Sequence, residues 1–189
     1  MLSEQRKKIH PHKFALWVAM GSITMMFAAF TSAYIVKRSQ TNWLLFNLPV
    51  VFWYATGAIL LSSVTIQLAL ETFRNRSMLL YRVLITLTTL LGLTFVVLQC
   101  FGFATLHHHG VILLGNNSNP AASFVAIITG VHILHVIGGV IALGIIFCRA
   151  YSRTVRSYTS TPVEIAATYW HFVDFLWVYL FIFFKVMAT

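Results

Sequence analysis

Five runs of apolar residues, at about 14–36, 50–71, 83–106, 123–149 and 163–187, constrain this chain more than any other feature of it. A bilayer hydrocarbon core of about 30 Å is crossed by roughly 20 residues of helix, and each run is that long. Inside lipid every backbone N–H and C=O needs a partner within the protein, so runs of this length read as helices. The composition agrees: 59% of the 189 residues are hydrophobic and 9% are charged, which would leave a soluble domain with a surface it could not cover. The links are polar, short and marked by Asn, Pro, Ser or Arg. No repeat with a period of 20–50 residues appears. The expected fold is therefore all-α, a polytopic membrane protein of five transmembrane helices forming one bundle over residues 1–189.

The net charge of +9 sets thirteen Lys and Arg against four acids, Glu4, Glu71, Glu164 and Asp174. Nucleic-acid binding would need a basic face on a soluble fold, whereas here the cations sit between the apolar runs, so no nucleic-acid partner is expected. They read as topology signals. If each run crosses once, Arg6, Lys7, Lys8, Lys13, Arg74, Arg76, Arg82, Arg149, Arg153 and Arg156 share one side, and only Lys37, Arg38 and Lys185 lie opposite. Ten against three places the N-terminus inside and the C-terminus outside.

The N-terminal tail leads straight into a full-length span, with no A-x-A-like cleavage site behind a short apolar core. The first span is expected to stay in the mature protein. The two cysteines, Cys100 and Cys148, have no metal-binding spacing. Near the outer end of span three and the inner end of span four, they would be roughly 25 Å apart in depth. A disulfide needs Cα atoms within about 7 Å, so free thiols are expected.

Small residues in span one (Gly21, Ser22, Ala28, Ala29, Ser32, Ala33) would allow close helix approach. Ser62, Ser63, Thr65 and Gln67 in span two, and Thr94 and Gln99 in span three, are hydrogen-bonding residues at membrane depth. His107, His108 and His109 in the third link could suggest a metal. Adjacent residues do not converge on one ion unaided, and a solvated loop is the expected reading. In span four His132, His135 and Gly139 are spaced to share a face.

The last run is the most informative. It carries Glu164, His171 and Asp174, which fall near one helical stripe and are poorly tolerated by acyl chains. That stripe is expected to face protein, headgroups or trapped water. If spans four and five are antiparallel neighbours, residues whose numbers add to about 312 lie level. This sets Asp174 against Gly138 and His171 against Ile141, with His135 about a turn from Asp174. The expected consequence is a direct or water-bridged His135–Asp174 contact that locks the two spans together.

Histidines in a membrane bundle also raise haem, as in a small cytochrome b-type electron carrier. Bis-histidine ligation needs imidazoles at matching depth on facing helices, and no two are level here. A self-contained transporter would need a continuous polar relay. Span one has no acid and spans two and three have only Glu71, at a helix end.

Gly130-Val131-His132-Ile133-Leu134-His135-Val136-Ile137-Gly138-Gly139 and the run Tyr169-Trp170-His171-Phe172-Val173-Asp174, with Glu164 before it, resemble subunit III of the haem–copper terminal oxidases. The likeness covers essentially the whole chain and is strongest over the last hundred residues. Gly92-Leu93-Thr94-Phe95 with Gln99 fits the same family. The resemblance implies a non-redox accessory subunit of a proton-pumping oxidase that reduces oxygen to water in aerobic respiration, in a bacterial cytoplasmic (inner) membrane. It implies no catalytic centre and no cofactor in this chain, haem and copper belonging to partner subunits. It further implies direct contact with subunit I, association with subunit II and the other oxidase subunits, support of proton uptake, and bound phospholipid. The positions carried over are His132, His135, Glu164, Trp170, His171 and Asp174, in structural, lipid-binding or hydrogen-bonding roles. Many family members have seven spans, and five match the shorter bacterial type. The membrane glutamate of longer members is absent from span one, so a role resting on that carboxylate does not transfer.

Overall fold

A computed structural model describes residues 11–38, 49–108, 120–152 and 160–188. They form five helices, α1 (Pro11–Lys37), α2 (Val51–Arg74), α3 (Met78–His108), α4 (Pro120–Tyr151) and α5 (Thr161–Ala188), with no strand among the described residues. All five are long and apolar enough to cross a membrane, as the sequence predicts. Several helices outrun the apolar segments that define them. Backbone hydrogen bonding does not stop where side chains become polar, so His107 and His108 continue α3 instead of opening a loop. The rest of that expected loop, from His109, lies outside the described residues.

Helices α2 to α5 close a ring in chain order: α2 packs on α3, α3 on α4, α4 on α5, and α5 back on α2. Helix α1 stands outside the ring and touches only α4 and α5. Two apolar cores result. The larger lies within the ring around Phe52, Ile59, Phe95, Trp170 and Trp177. The smaller joins Phe27 and Tyr34 of α1 to Val125 and Ile128 of α4 and Leu176, Leu180 and Phe184 of α5. Leu61, Leu79, Leu90, Leu134, Phe175 and other large apolar side chains point outward, as expected where lipid replaces water.

Lipid offers little hydrophobic drive between helices, so close packing and hydrogen bonds hold the ring. Thr65 and Thr88 hydroxyls join α2 to α3 at 2.8 Å, and Arg82 Nε donates to the Ala150 carbonyl across α3 and α4 at 2.8 Å. Thr31 and Tyr179 hydroxyls join α1 to α5 at 3.0 Å. The α2–α3 link is tight because α2 ends in a Schellman motif. Arg76 N–H donates to the Phe73 carbonyl and Ser77 N–H to that of Thr72, with Arg76 in the left-handed region at φ 57°. Cys100 and Cys148 are free and exposed.

Candidate functional site

Helix α5 is the member of the ring that α1, α2 and α4 all contact, and its two central tryptophans, seven residues apart, set its position. Trp170 is wholly buried. Its ring lies between two glycines: a β-carbon on Gly92 of α3 would sit 2.7 Å from the indole, and one on Gly139 of α4 would sit 2.9 Å from it. Only a residue without a side chain fits either place. The indole N–H donates to Ser62 Oγ of α2 at 2.9 Å. One side chain thus touches three other helices. Two turns on, Trp177 stacks on His132 (centroids 5.4 Å apart), meets Phe95 edge-on at 5.2 Å, and donates its N–H to Thr56 Oγ1 at 3.0 Å. An indole in a dry core needs such a partner, and the hydroxyls of α2 provide one for each. Trp177, Ser62 and Thr56 carry as much of the site as the histidines. Their sequence signal is the seven-residue spacing of Trp170 and Trp177 opposite that of His132 and Gly139.

The pairs Gly139–Trp170 and His132–Trp177 also fix the register of α4 on α5. Level residues add to 309 (139 with 170, 132 with 177), about one turn from the 312 expected. The seats of the indoles, and not the midpoint of the link, decide it. Asp174 therefore stands level with His135. Level is not facing, however. His135 Nδ1 donates to the Val131 carbonyl of its own helix at 2.8 Å, and its ring meets Phe27 of α1 at 5.9 Å. Asp174, 3% exposed, has neither carboxyl oxygen in a hydrogen bond with any described residue. Of the direct or water-bridged His135–Asp174 contact expected from the sequence, the direct bond is not made, because His135 spends its Nδ1 on its own helix and packs against α1.

The stripe on α5 does have polar company, and it comes from α2 and α1. Glu164 is held by Lys13 Nζ at 2.8 Å, Arg74 at 3.1 Å and the Ser160 hydroxyl at 2.9 Å, which ties the ends of α1, α2 and α5 together. His171 sits between Ser63 Oγ, 2.6 Å from Nδ1, and Gln67 Oε1, 3.3 Å from Nε2. An amide oxygen accepts only, so Nε2 carries the hydrogen, Nδ1 is bare and the Ser63 hydroxyl donates to it. Asp174 lies close enough to Ser63 to interact but outside hydrogen-bonding geometry.

Neither carbonyl nor hydroxyl reaches His132, which is fully buried with both ring nitrogens unpartnered among the described residues. Phe27, Phe95 and Trp177 enclose it. Gln99, equally buried and unpartnered, lies one turn beyond Phe95 on α3. These placements do not fit an axial haem ligand. His132 is walled by rings and His171 has both nitrogens engaged, which leaves His135 without a second imidazole at membrane depth among the described residues. No three His, Cys, Asp or Glu residues converge as a metal-binding group among the described residues.

One large groove opens along the lipid-facing side. It has a volume of about 920 Å³, runs between α1, α4 and α5 over Ala15, Ala19, Gly138, Ala142 and Ala166, and has Arg149 at its end.

The sequence model of the cytochrome c oxidase subunit III family matches residues 45–188. The cytochrome c oxidase subunit 3 of Bacillus sp. (strain PS3) is 30% identical over 170 residues, covering 87% of this chain and 80% of that protein. That of Bacillus subtilis (strain 168) is 26% identical, over 87% of this chain and 81% of its own length. A protein described as "Probable quinol oxidase subunit 3" from Staphylococcus saprophyticus is 27% identical, over 90% of this chain and 86% of its own.

Proposed function

The chain belongs to the cytochrome c oxidase subunit III family, and from that membership we propose how it serves as an accessory, multi-pass membrane subunit of a terminal oxidase complex. The proposed role is to pack directly against the catalytic subunit I, steady it during turnover, and support proton uptake, with haem and copper held by partner subunits. The relatives are bacterial oxidase subunits, which supports a place in the bacterial cytoplasmic membrane. The observation that carries the reading is that the motif residues are spent on packing. Trp170 binds three helices and the histidines are enclosed or engaged. A redox or transport site would keep such groups open to a ligand.

Bound phospholipid is part of the proposal. The groove between α1, α4 and α5 is lined mainly by Ala, Ile, Leu and Gly, which suits an acyl chain, and Arg149 suits a phosphate at its end.

The test is to purify the tagged chain from its native membrane in mild detergent. Recovery with haem-bearing oxidase subunits and bound phospholipid is the expected result. The chain stripped of its partners should show no Soret band. A stoichiometric Soret band in the isolated chain would overturn this reading in favour of a small cytochrome.

A further inference from the structure

Helices α1 and α2 both pack on α5 but, among the described residues, not on each other, which leaves a valley between them with α5 as its floor. At the Glu164 end it opens into a cleft of about 280 Å³ between Lys13 of α1, Arg74 of α2 and Thr168 of α5. At the Lys185 end it reaches a pocket of about 430 Å³ between Trp53 of α2 and Ile182 of α5. Two stripes join these ends. Thr168, Phe175 and Ile182 recur every seven residues on α5, Trp53, Leu60 and Gln67 do the same on α2, and all six are exposed. Seven residues are close to two helical turns, so each stripe keeps to one side of its helix over about 21 Å. That is most of the height of a hydrocarbon core, and the spacing is that of a seam between helices.

The middle of the valley is polar. Gln67 Oε1 accepts from His171 Nε2 at 3.3 Å, and the amide N–H groups of Gln67 have no partner among the described residues. Gln67 stands seven residues before Arg74, the last residue of α2, and so about 10 Å into the membrane from it. An acyl chain has no acceptor to offer at that depth, where an unbonded amide donor is strongly unfavourable, whereas another helix can bring an oxygen. The cleft at the Glu164 end is lined by two cations, Lys13 and Arg74, and one carboxylate, which leaves it positive.

We propose that this valley docks one transmembrane helix of another oxidase subunit, a helix with a hydrogen-bond acceptor level with Gln67 and negative charge at the end beside Lys13 and Arg74. The proposal rests on the accessory-subunit reading above and adds to it the face that is used. The partner helix lies against Leu60 and Phe175, accepts from Gln67 and covers the Gln67–His171–Ser63 row. A phospholipid could meet the cations but not the amide. A second copy, set valley to valley by two-fold symmetry, would bring the two positive clefts together.

The test places the photo-reactive residue p-benzoylphenylalanine at position 60 or 175 of the tagged chain, both exposed, and irradiates the native membrane. Both positions should give an adduct with a transmembrane peptide of one and the same oxidase subunit. Gln67→Leu should lower the adduct yield from position 175 by about tenfold. Ser63→Ala, which removes the other partner of His171, should leave that yield unchanged. Adducts with lipid alone or with a second copy, or equal yields in Gln67→Leu and Ser63→Ala, would overturn the docking face. If haem-bearing subunits still co-purify in those samples, the accessory role stands without it; if they never co-purify, both fall.

Discussion

The ring of Trp170 lies so close to Gly139 that a β-carbon there would stand 2.9 Å from Cε3. Van der Waals contact between carbons is nearer 3.5–4.0 Å, so one side of the contact would have to move. Trp170 cannot yield, since Gly92 closes its other side and Ser62 holds its N–H. Gly139→Ala should therefore destabilise the bundle by about 1–3 kcal/mol. Retention of the subunit by its complex during stepwise heating would measure this. Gly144→Ala is the control, because nothing stands within 4 Å of a β-carbon there.

The hydroxyl of Ser62 accepts from Trp170 and itself donates to the Ile59 carbonyl at 2.7 Å. Ser62→Ala strands a fully buried indole N–H, at about 1–3 kcal/mol. The double variant Ser62→Ala with Trp170→Phe should cost less than the two single changes added together. A double-mutant cycle on thermal retention reads that coupling. Strict additivity would mean that the hydrogen bond contributes nothing.

Glu164 joins the ends of α1 and α2 to α5, but its partners Lys13 and Arg74 are 42% and 55% exposed at the side chain. Exposed ion pairs contribute up to about 1 kcal/mol each, and salt screens them. Glu164→Gln should thus cause a small loss of stability that shrinks as ionic strength rises. Melting curves in low and high salt would show it, and an equal loss in both would point to packing instead.

The sequence predicts that Asp174→Leu loosens the subunit by breaking a lock between spans four and five. With no hydrogen bond to either oxygen among the described residues, the structure predicts otherwise. Replacing an unpartnered polar group by leucine breaks no hydrogen bond, and fitting the bulkier side chain should cost about 1–3 kcal/mol as local strain in the bundle instead of as a lost lock. Subunit retention before heating in Asp174→Leu should match that in Asp174→Asn. Loss of the subunit in the Leu variant alone would restore the lock.

Ten cations against three set the orientation prediction. Reporter fusions in the link 107–122 should read as external and those in 150–162 as internal. The reverse at both links would overturn it.

The five helices, their membrane solvent and the family motif were all legible in the chain itself. Run length, hydropathy and the Tyr169–Asp174 run are local properties, and lipid forces a long apolar run to be helical whatever its neighbours. The sequence also marked α5 as the helix around which the polar residues gather. What it could not determine was which of those residues meet, because that depends on the rotation and sliding of each helix against the next. A shift of one turn brought Asp174 level with His135, and rotation then turned His135 to α1 and the polar stripe of α5 to α2. Ser62, Ser63, Thr56 and Gln67 looked like ordinary hydroxyl and amide residues until α2 was laid against α5. Only the tertiary structure made them the partners of Trp170, His171 and Trp177, since the two indole rings fit between α3 and α4 only where Gly92, Gly139 and His132 leave room.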